Sequence, residues 1–411
     1  MYDIVLLGAT GYTGAQVAKY LATHLSETHS WAIAGRTSSK LRRLVSSLQP
    51  WHPTPAIEVV DLDADSLLAL ARTTRVLINA IGPYSRYGEL VIAACTAAGV
   101  GYVDFSTETP WIADMIAKYG KVADDTGAVI IPAIGNISSP SDLLAYALAS
   151  YLSKEHGVPT EKIVSSQELV INGMSSGSLS SLLAVASKYG VENYLRPNPH
   201  LLTAESSPTE ASVQPVVVHH PTLGHLTRSV SAPGNIAAVH RSALRAPELF
   251  SPTFTFQEWM PAKSRFQAIL VSCLTVFAFR LISFRPVLYL LQRFLPQQPS
   301  SGPPKEAGEG ESIDVKGIAT SAQDPDGARY QAVGRYSYRG SMYFHSAMLA
   351  AEAAMALVDE MRSDGDADGK LKPTTRARGF LTPSYLGRPF INRVCAAGVQ
   401  FEIEEGTRDS I

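Results

Sequence analysis

The 411-residue sequence lacks an excess of charge of either sign. Its 35 Lys and Arg nearly balance 37 Asp and Glu, for a net charge of −2. No basic surface therefore argues for a nucleic-acid partner. Cysteine is scarce, and Cys95, Cys273 and Cys395 stand far apart. That spacing offers neither a disulfide framework nor a thiolate metal cluster, and it suits a reducing, cytoplasmic compartment. The ten histidines include the pair His219–His220, but none falls in a metal-ligand pattern. No internal repeat is present. The N-terminus has no basic region before an apolar core, so a signal peptide is not expected. The C-terminus carries no lipidation signal.

What is there reads as a folded globular protein of about two or three domains. Residues 1–140 alternate short apolar runs with amphipathic segments. "DIVLLG", "WAIAGR", "AIEVVDL", "RVLINAIGP", "GYVDFS" and "AVIIPAIG" read as strands, with helical stretches between them. Gly99 is placed to end one of those helices in the left-handed conformation. This alternation predicts an α/β fold with a parallel sheet covered on both faces. The rhythm changes after residue 140. "SDLLAYALASYL" reads as a helix that Ser141 or Asp142 can cap. "KIVSSQELVI", "ASVQPVVVHH" and "FTFQEWM" then read as strands, Pro215 confining one of them to an edge. Residues 141–335 are expected to form an α+β domain, and residues 336–411 a helix and tail. "PQQPSSGPPKEAGEGES" (296–312) and residues 363–379 read as flexible loops. The apolar segment 268–295 has two readings. One is a buried helical hairpin or a homodimer contact. The other is association with a membrane or lipid droplet.

Gly8, Gly11 and Gly14 follow the first strand and open the first helix. A dinucleotide fold holds its pyrophosphate there, on the free amides of a helix N-terminus. Tyr12 lies within the same turn, and Thr10 and Thr13 add hydroxyl donors. The second strand ends in "AGRTSSK", without the acid that favours NAD. Arg36, Thr37, Ser38 and Lys40 can instead meet a 2′-phosphate, so NADP(H) is the expected cofactor. Asp61 fits an adenine-side contact or a helix cap. The fourth strand ends in "NAIGPYSRYG". Gly82 and Pro83 are expected near the nicotinamide, with Tyr84, Ser85, Arg86 and Tyr87 beside the reacting ring and Tyr84 and Tyr87 as candidate proton donors.

"GATGYTG", "AGR", "NAIGPYSRYGELVIAACTAAGVGYVDFSTE" and "SDLLAY" together resemble the saccharopine dehydrogenase-like oxidoreductases. The trans-acting enoyl reductase branch is the more similar one. "NIAAVHRSALRA", "GEGES" and "GFLTPSYLG" resemble later segments of that family. The resemblance implies an NADP-binding Rossmann domain, an inserted α+β domain, and a C-terminal segment folding back on the first. It also matches Gly8, Gly11, Gly14 and Arg36 to cofactor positions, Asn79, Gly82, Pro83, Tyr84, Tyr87 and Gly88 to the loop under the nicotinamide, and Asp104 and Glu108 to an acidic pair after the fifth strand. Thr107 stands where the family commonly has glycine. "GNISSPSDLLAY" lacks the acid of the family's corresponding stretch. The implied reaction is NADPH-dependent reduction of an α,β-unsaturated acyl thioester, free or bound to a carrier protein, for a polyketide or lipid synthase. Reduction of a ketone, aldehyde or imine is the alternative reaction. A non-catalytic NADPH-binding or lipid-associated protein is the alternative from another class.

Overall fold

The computed structural model describes residues 1–48, 54–203, 215–294, 302–363 and 377–406. The first part alternates β1 (Tyr2–Leu7), α1 (Tyr12–His24), β2 (Trp31–Gly35), α2 (Ser38–Ser47), β3 (Ala56–Val59), α3 (Ala64–Ala71), β4 (Thr74–Asn79), α4 (Tyr84–Ala98), β5 (Gly101–Asp104), α5 (Thr109–Thr126) and β6 (Val129–Ile131). There follow α6 (Ser139–His156), β7 (Thr160–Val170), α7 (Ser176–Tyr189), α8 (Val191–Leu195), β8 (Val217–His220), β9 (Gly224–Thr227), α9 (Ala232–Arg245), β10 (Phe250–Ala262), α10 (Arg265–Ser283) and α11 (Arg285–Phe294). The chain ends with β11 (Ser312–Ser321), β12 (Gln331–Arg339), α12 (Met342–Ser363), β13 (Gly379–Phe380), α13 (Gly387–Ala396) and β14 (Gln400–Glu405).

The first sheet has the order β13-β6-β5-β4-β1-β2-β3 and is parallel throughout. The middles of its central strands, such as residues 4–7 of β1 and 76–78 of β4, are continuous apolar runs because both faces are covered. Ile4 and Leu6 of β1 pack toward α1 and α12, whereas Val5 and Leu7 face the layer of α3, α4 and α5. The strand order reverses between β1 and β4, where an open α/β sheet forms its ligand crevice. α12 supplies one covering helix from the far end of the chain. Its small residues Ala347, Ala350, Ala351 and Ala354 are fully buried, which lets it lie close to the sheet. A Cβ at Gly101 would stand 2.8 Å from Leu357 of that helix.

The second sheet has the order β14-β12-β11-β7-β10-β9-β8. Its long central strands pair β11 antiparallel to β7 and to β12. Gly317 and Gly334 face each other across β11 and β12. A Cβ on either would come within 3 Å of Leu144 or Leu148, so the paired glycines leave a furrow for α6.

Five expectations change. The strand β12 crosses the boundary placed at residue 335. The expected C-terminal tail also divides: α12 and β13 complete the first sheet, while β14 pairs with β12 of the second. Local patterning marks a strand but not the sheet that takes it. Residues 302–312, the described part of the expected loop 296–312, are tied down. They form a 3-10 turn, and buried Glu311 accepts from the amides of Asn172 and Met342. Residues 296–301 and 364–376 lie outside the described residues. Ser141 and Asp142 sit inside α6 rather than capping it, because the helix already begins at Ser139. Finally, the apolar segment is not a buried hairpin. In α10 only Ala268 and Ser272 are buried.

Candidate functional site

The glycine turn lies at the switch point between β1 and β4. Gly8 has φ +84°, and a Cβ there would stand 2.8 Å from Ile81 and 3.0 Å from the Ala80 backbone. Only glycine carries the chain over the end of β4 at this position. A Cβ on Gly14 would stand 2.3 Å from the Gly8 carbonyl oxygen. The first turn of α1 is thus pressed directly onto the glycine turn. Gly11 is the N-cap of α1, no side chain caps it, and the first turn holds no acid. The helix end is therefore open and carries a partial positive charge suited to a phosphate. Thr10, Tyr12 and Thr13 are half-buried around it. The Tyr12 hydroxyl donates to the Pro303 carbonyl at 2.8 Å, and its ring meets Tyr343 edge-on. Tyr343 in turn accepts from the Ser175 amide at the start of α7. The second domain thereby borders the turn from two sides.

Arg36, Thr37 and Lys40 are exposed beyond β2, and Ser38 is half-buried. Thr37 is the N-cap of α2 and makes no side-chain cap bond. Among the described residues Arg36 pairs with no acid. Two cations beside an open helix end suit a phosphate monoester. Asp61 is exposed beyond β3. The cap of α3 is Asp63 instead, which accepts from the Ser66 amide at 2.9 Å.

At the end of β4, Asn79 is fully buried. Its amide donates to the Tyr102 hydroxyl, and its carbonyl oxygen accepts from the Ile81 amide. Gly82 is exposed and Pro83 buried, joined by a cis peptide bond. Tyr84 departs from its expected role as a proton donor facing a substrate. It is buried, donates to the Asn79 carbonyl and accepts from the Phe105 amide. Burial first, then the charge of Asp104, pushes its ionisation well above the ordinary tyrosine range. Its hydroxyl is spent on joining the ends of β4 and β5. Tyr87, one turn into α4, is exposed.

The acidic pair has structural duties here. Glu108 accepts from the amides of Tyr84 and Ser85 at 2.8 and 2.9 Å, so it caps α4 and fixes the Gly82–Pro83 turn. Asp104 accepts from Tyr102, Ser106 and Ala133. The last bond holds Ala133 at φ 63°, a conformation rare outside glycine. Burial raises the Asp104 carboxyl to about 6.

One cluster escaped the sequence reading. Glu258 of β10 is fully buried where the second sheet meets the loop after β6. It accepts from Ser141 and from Asn235 (2.8 Å), with Ser231 at 3.4 Å. Gln167 and Asn235 also donate to the Ile137 carbonyl. The signal was present in "FTFQEWM", because Glu258 shares the inward face of its strand with buried Phe254 and Phe256. Burial pushes this carboxyl up to about 7, from an ordinary 4.5. The folded state therefore keeps a proton that the unfolded chain releases above pH ~4.5. Stability should fall as pH rises from about 4.5 to 7 and then level off, by about 3 kcal/mol in total. Glu258→Gln should flatten this fall, read as the change in melting temperature between pH 5 and pH 8. An unchanged pH slope in the variant would refute the assignment.

The family described as "Saccharopine dehydrogenase NADP binding domain" matches residues 4–131, the span from β1 to β6. A "Trans-acting enoyl reductase" of Mycobacterium tuberculosis is 31% identical over 421 aligned positions, covering 97% of this chain and 96% of that protein. The chain belongs to the trans-acting enoyl reductase branch of the saccharopine dehydrogenase-like family. It is an NADP-dependent oxidoreductase. A "Lipid droplet localized protein" of Caenorhabditis elegans is 40% identical over 148 positions, but these cover only 34% of this chain and 35% of that protein. Among solved structures, apo saccharopine dehydrogenase (L-Glu forming) of Saccharomyces cerevisiae superposes with a TM-score of 0.56 at 12% identity, over 99% of this chain and all of that one. That likeness concerns the fold.

The later motifs of this family also find their places. Arg241 donates to the carbonyls of Phe380 and Leu202, and Ser242 donates to buried Asp142. Asp142 also accepts from the Ser384 amide. These bonds stitch the segment carrying β13 onto α6 and α9.

Proposed function

We propose that this oxidoreductase reduces the carbon–carbon double bond of an α,β-unsaturated acyl thioester, free or presented on a carrier protein, in support of a polyketide or lipid synthase. The full-length likeness to the trans-acting enoyl reductase carries this reading. In it, the open end of α1 with Gly8, Thr10, Gly11, Tyr12, Thr13 and Gly14 holds the pyrophosphate. Arg36, Thr37, Ser38 and Lys40 hold the 2′-phosphate, Asp61 lies on the adenine side, and exposed Gly82 borders the nicotinamide in a turn that buried Asn79 and Pro83 shape. When bound there, NADPH would supply a hydride to the β-carbon.

The pair of the double bond shifts between the α-carbon and the carbonyl carbon, the carbonyl pair moves onto the thioester oxygen as an enolate, and the α-carbon then takes a proton. Glu108, Asp104 and Tyr84 act as positioning residues, since each fixes backbone at the ends of β4, β5 and β6. Exposed Tyr87, or a water held by it, is the proton donor in this reading. The polar cluster around Glu258 holds Ile137, in the loop between β6 and α6, and Ser141 in the first turns of α6.

The test is NADPH consumption with crotonyl and longer 2-enoyl thioesters of N-acetylcysteamine, against the matching ketones. Turnover of the enoyl thioesters with little turnover of the ketones is the expected result. The reverse preference would assign the enzyme to carbonyl reduction.

A further inference from the structure

The helix α10 presents Phe266, Leu270, Leu274, Phe277, Leu281 and Phe284 at intervals of three or four residues. They form one continuous stripe. All six are exposed, Phe266 by 76%, Phe277 by 67% and Phe284 by 61%. Such a stripe in water forgoes most of the stabilisation that burial of large apolar side chains provides. Tyr289 and Leu290 of α11 extend the apolar surface. Along this stretch of sequence the charge has one sign, although Glu192 of α8 lies beside Arg280. Between Glu258 and Glu306 the sequence has no acid, but it has Lys263, Arg265, Arg280, Arg285, Arg293 and Lys305.

We infer that the hairpin α10–α11 docks on a lipid surface bearing anionic headgroups, with the α10 stripe in the acyl region and the cations among the headgroups. A second copy of the chain would bring the same cations face to face, whereas an acidic lipid surface complements them. The helix has the length and composition to cross a bilayer, but the fold holds it alongside the protein. Thr227 of β9 donates to the Ala268 carbonyl at 3.0 Å, and Arg280 lies 3.8 Å from Glu192 of α8. An apolar helix fastened along one side lies in the interface plane.

The same helix walls a cavity of about 480 Å³. Val276, Phe279 and Leu195 line it, with Arg196, Arg228 and Arg280 and one acid, Glu192. Apolar walls with cations suit an acyl chain with an anionic head. Docking would set this cavity beside the lipid phase. The docking itself does not depend on which double bond the enzyme reduces.

The test is flotation of the purified full-length protein with vesicles of phosphatidylcholine, alone or with one-third phosphatidylserine. The double variant Leu274→Asp, Phe277→Asp changes only exposed side chains, and NADPH binding reports that it is folded. The wild type should float with the anionic vesicles about tenfold better than with the neutral ones, and less well in high salt. The double variant should lose about tenfold of that binding with NADPH affinity unchanged. Arg285→Glu with Arg293→Glu should remove the preference for phosphatidylserine. A wild type that stays at the bottom with both vesicles overturns the inference. Equal flotation on both overturns the role of the cations. A dimer that the double variant turns into a monomer, without flotation of either, assigns the stripe to a second copy instead.

Discussion

Gly14→Ala should weaken NADPH binding at least tenfold and destabilise the fold by about 2 kcal/mol. The added methyl would stand 2.3 Å from the Gly8 carbonyl oxygen, 3.0 Å from its carbon and 3.1 Å from the Ala9 Cα. All three are backbone atoms that cannot rotate away. α1 must therefore retreat by about an ångström, and its N-terminal amides retreat with it. Hydrogen bonds to phosphate lose strength quickly over such a distance. Two other glycines serve as controls. At Gly11 the nearest atom would lie at 3.3 Å, so alanine there should cost far less. At Gly120, inside α5, nothing lies within 4 Å. Gly120→Ala should stabilise the protein by about 0.5–1 kcal/mol through helix propensity alone. Isothermal titration with NADPH and thermal melts of the three variants give the comparison. A Gly14→Ala protein with wild-type affinity would place the cofactor elsewhere.

Arg36→Ala should raise the dissociation constant for NADPH by about 10- to 100-fold while changing that for NADH less than about twofold. Only NADPH carries the 2′-phosphate, and a guanidinium–phosphate pair contributes about 1.5–3 kcal/mol. The wild-type affinity for NADPH should fall with added salt more steeply than that of the variant. Lys40→Ala should show a smaller loss in the same direction, because its ammonium is a point charge on a flexible stem. Equal losses for both cofactors would mean that Arg36 supports the loop rather than the phosphate.

Much of the site was legible in the chain because its determinants are local. An apolar run followed by Gly8, Gly11 and Gly14 specifies a strand, a tight turn and an open helix end within a dozen residues. The missing acid after β2, with Arg36 in its place, is equally local. Tyr84 could not be read this way. Its sequence neighbours suggest a side chain near the reacting ring, yet its hydroxyl bonds the Asn79 carbonyl and the Phe105 amide on two different strands. The same holds for Glu108, whose duty is to cap a helix that begins 24 residues earlier. The cluster of Ser141, Gln167, Asn235 and Glu258 draws on four separate elements, so no window of sequence contains it.

By itself the sequence determined the parallel sheet, the glycine turn, the NADP preference and the apolar cationic character of residues 265–294. Periodicity, turn chemistry and charge set these over a few residues each. Only the tertiary structure decided which sheet received β13 and β14, which acids became caps, and that the stripe on α10 faces outward. Those outcomes depend on contacts between segments far apart in the chain, where burial of one face is settled by the partner that reaches it.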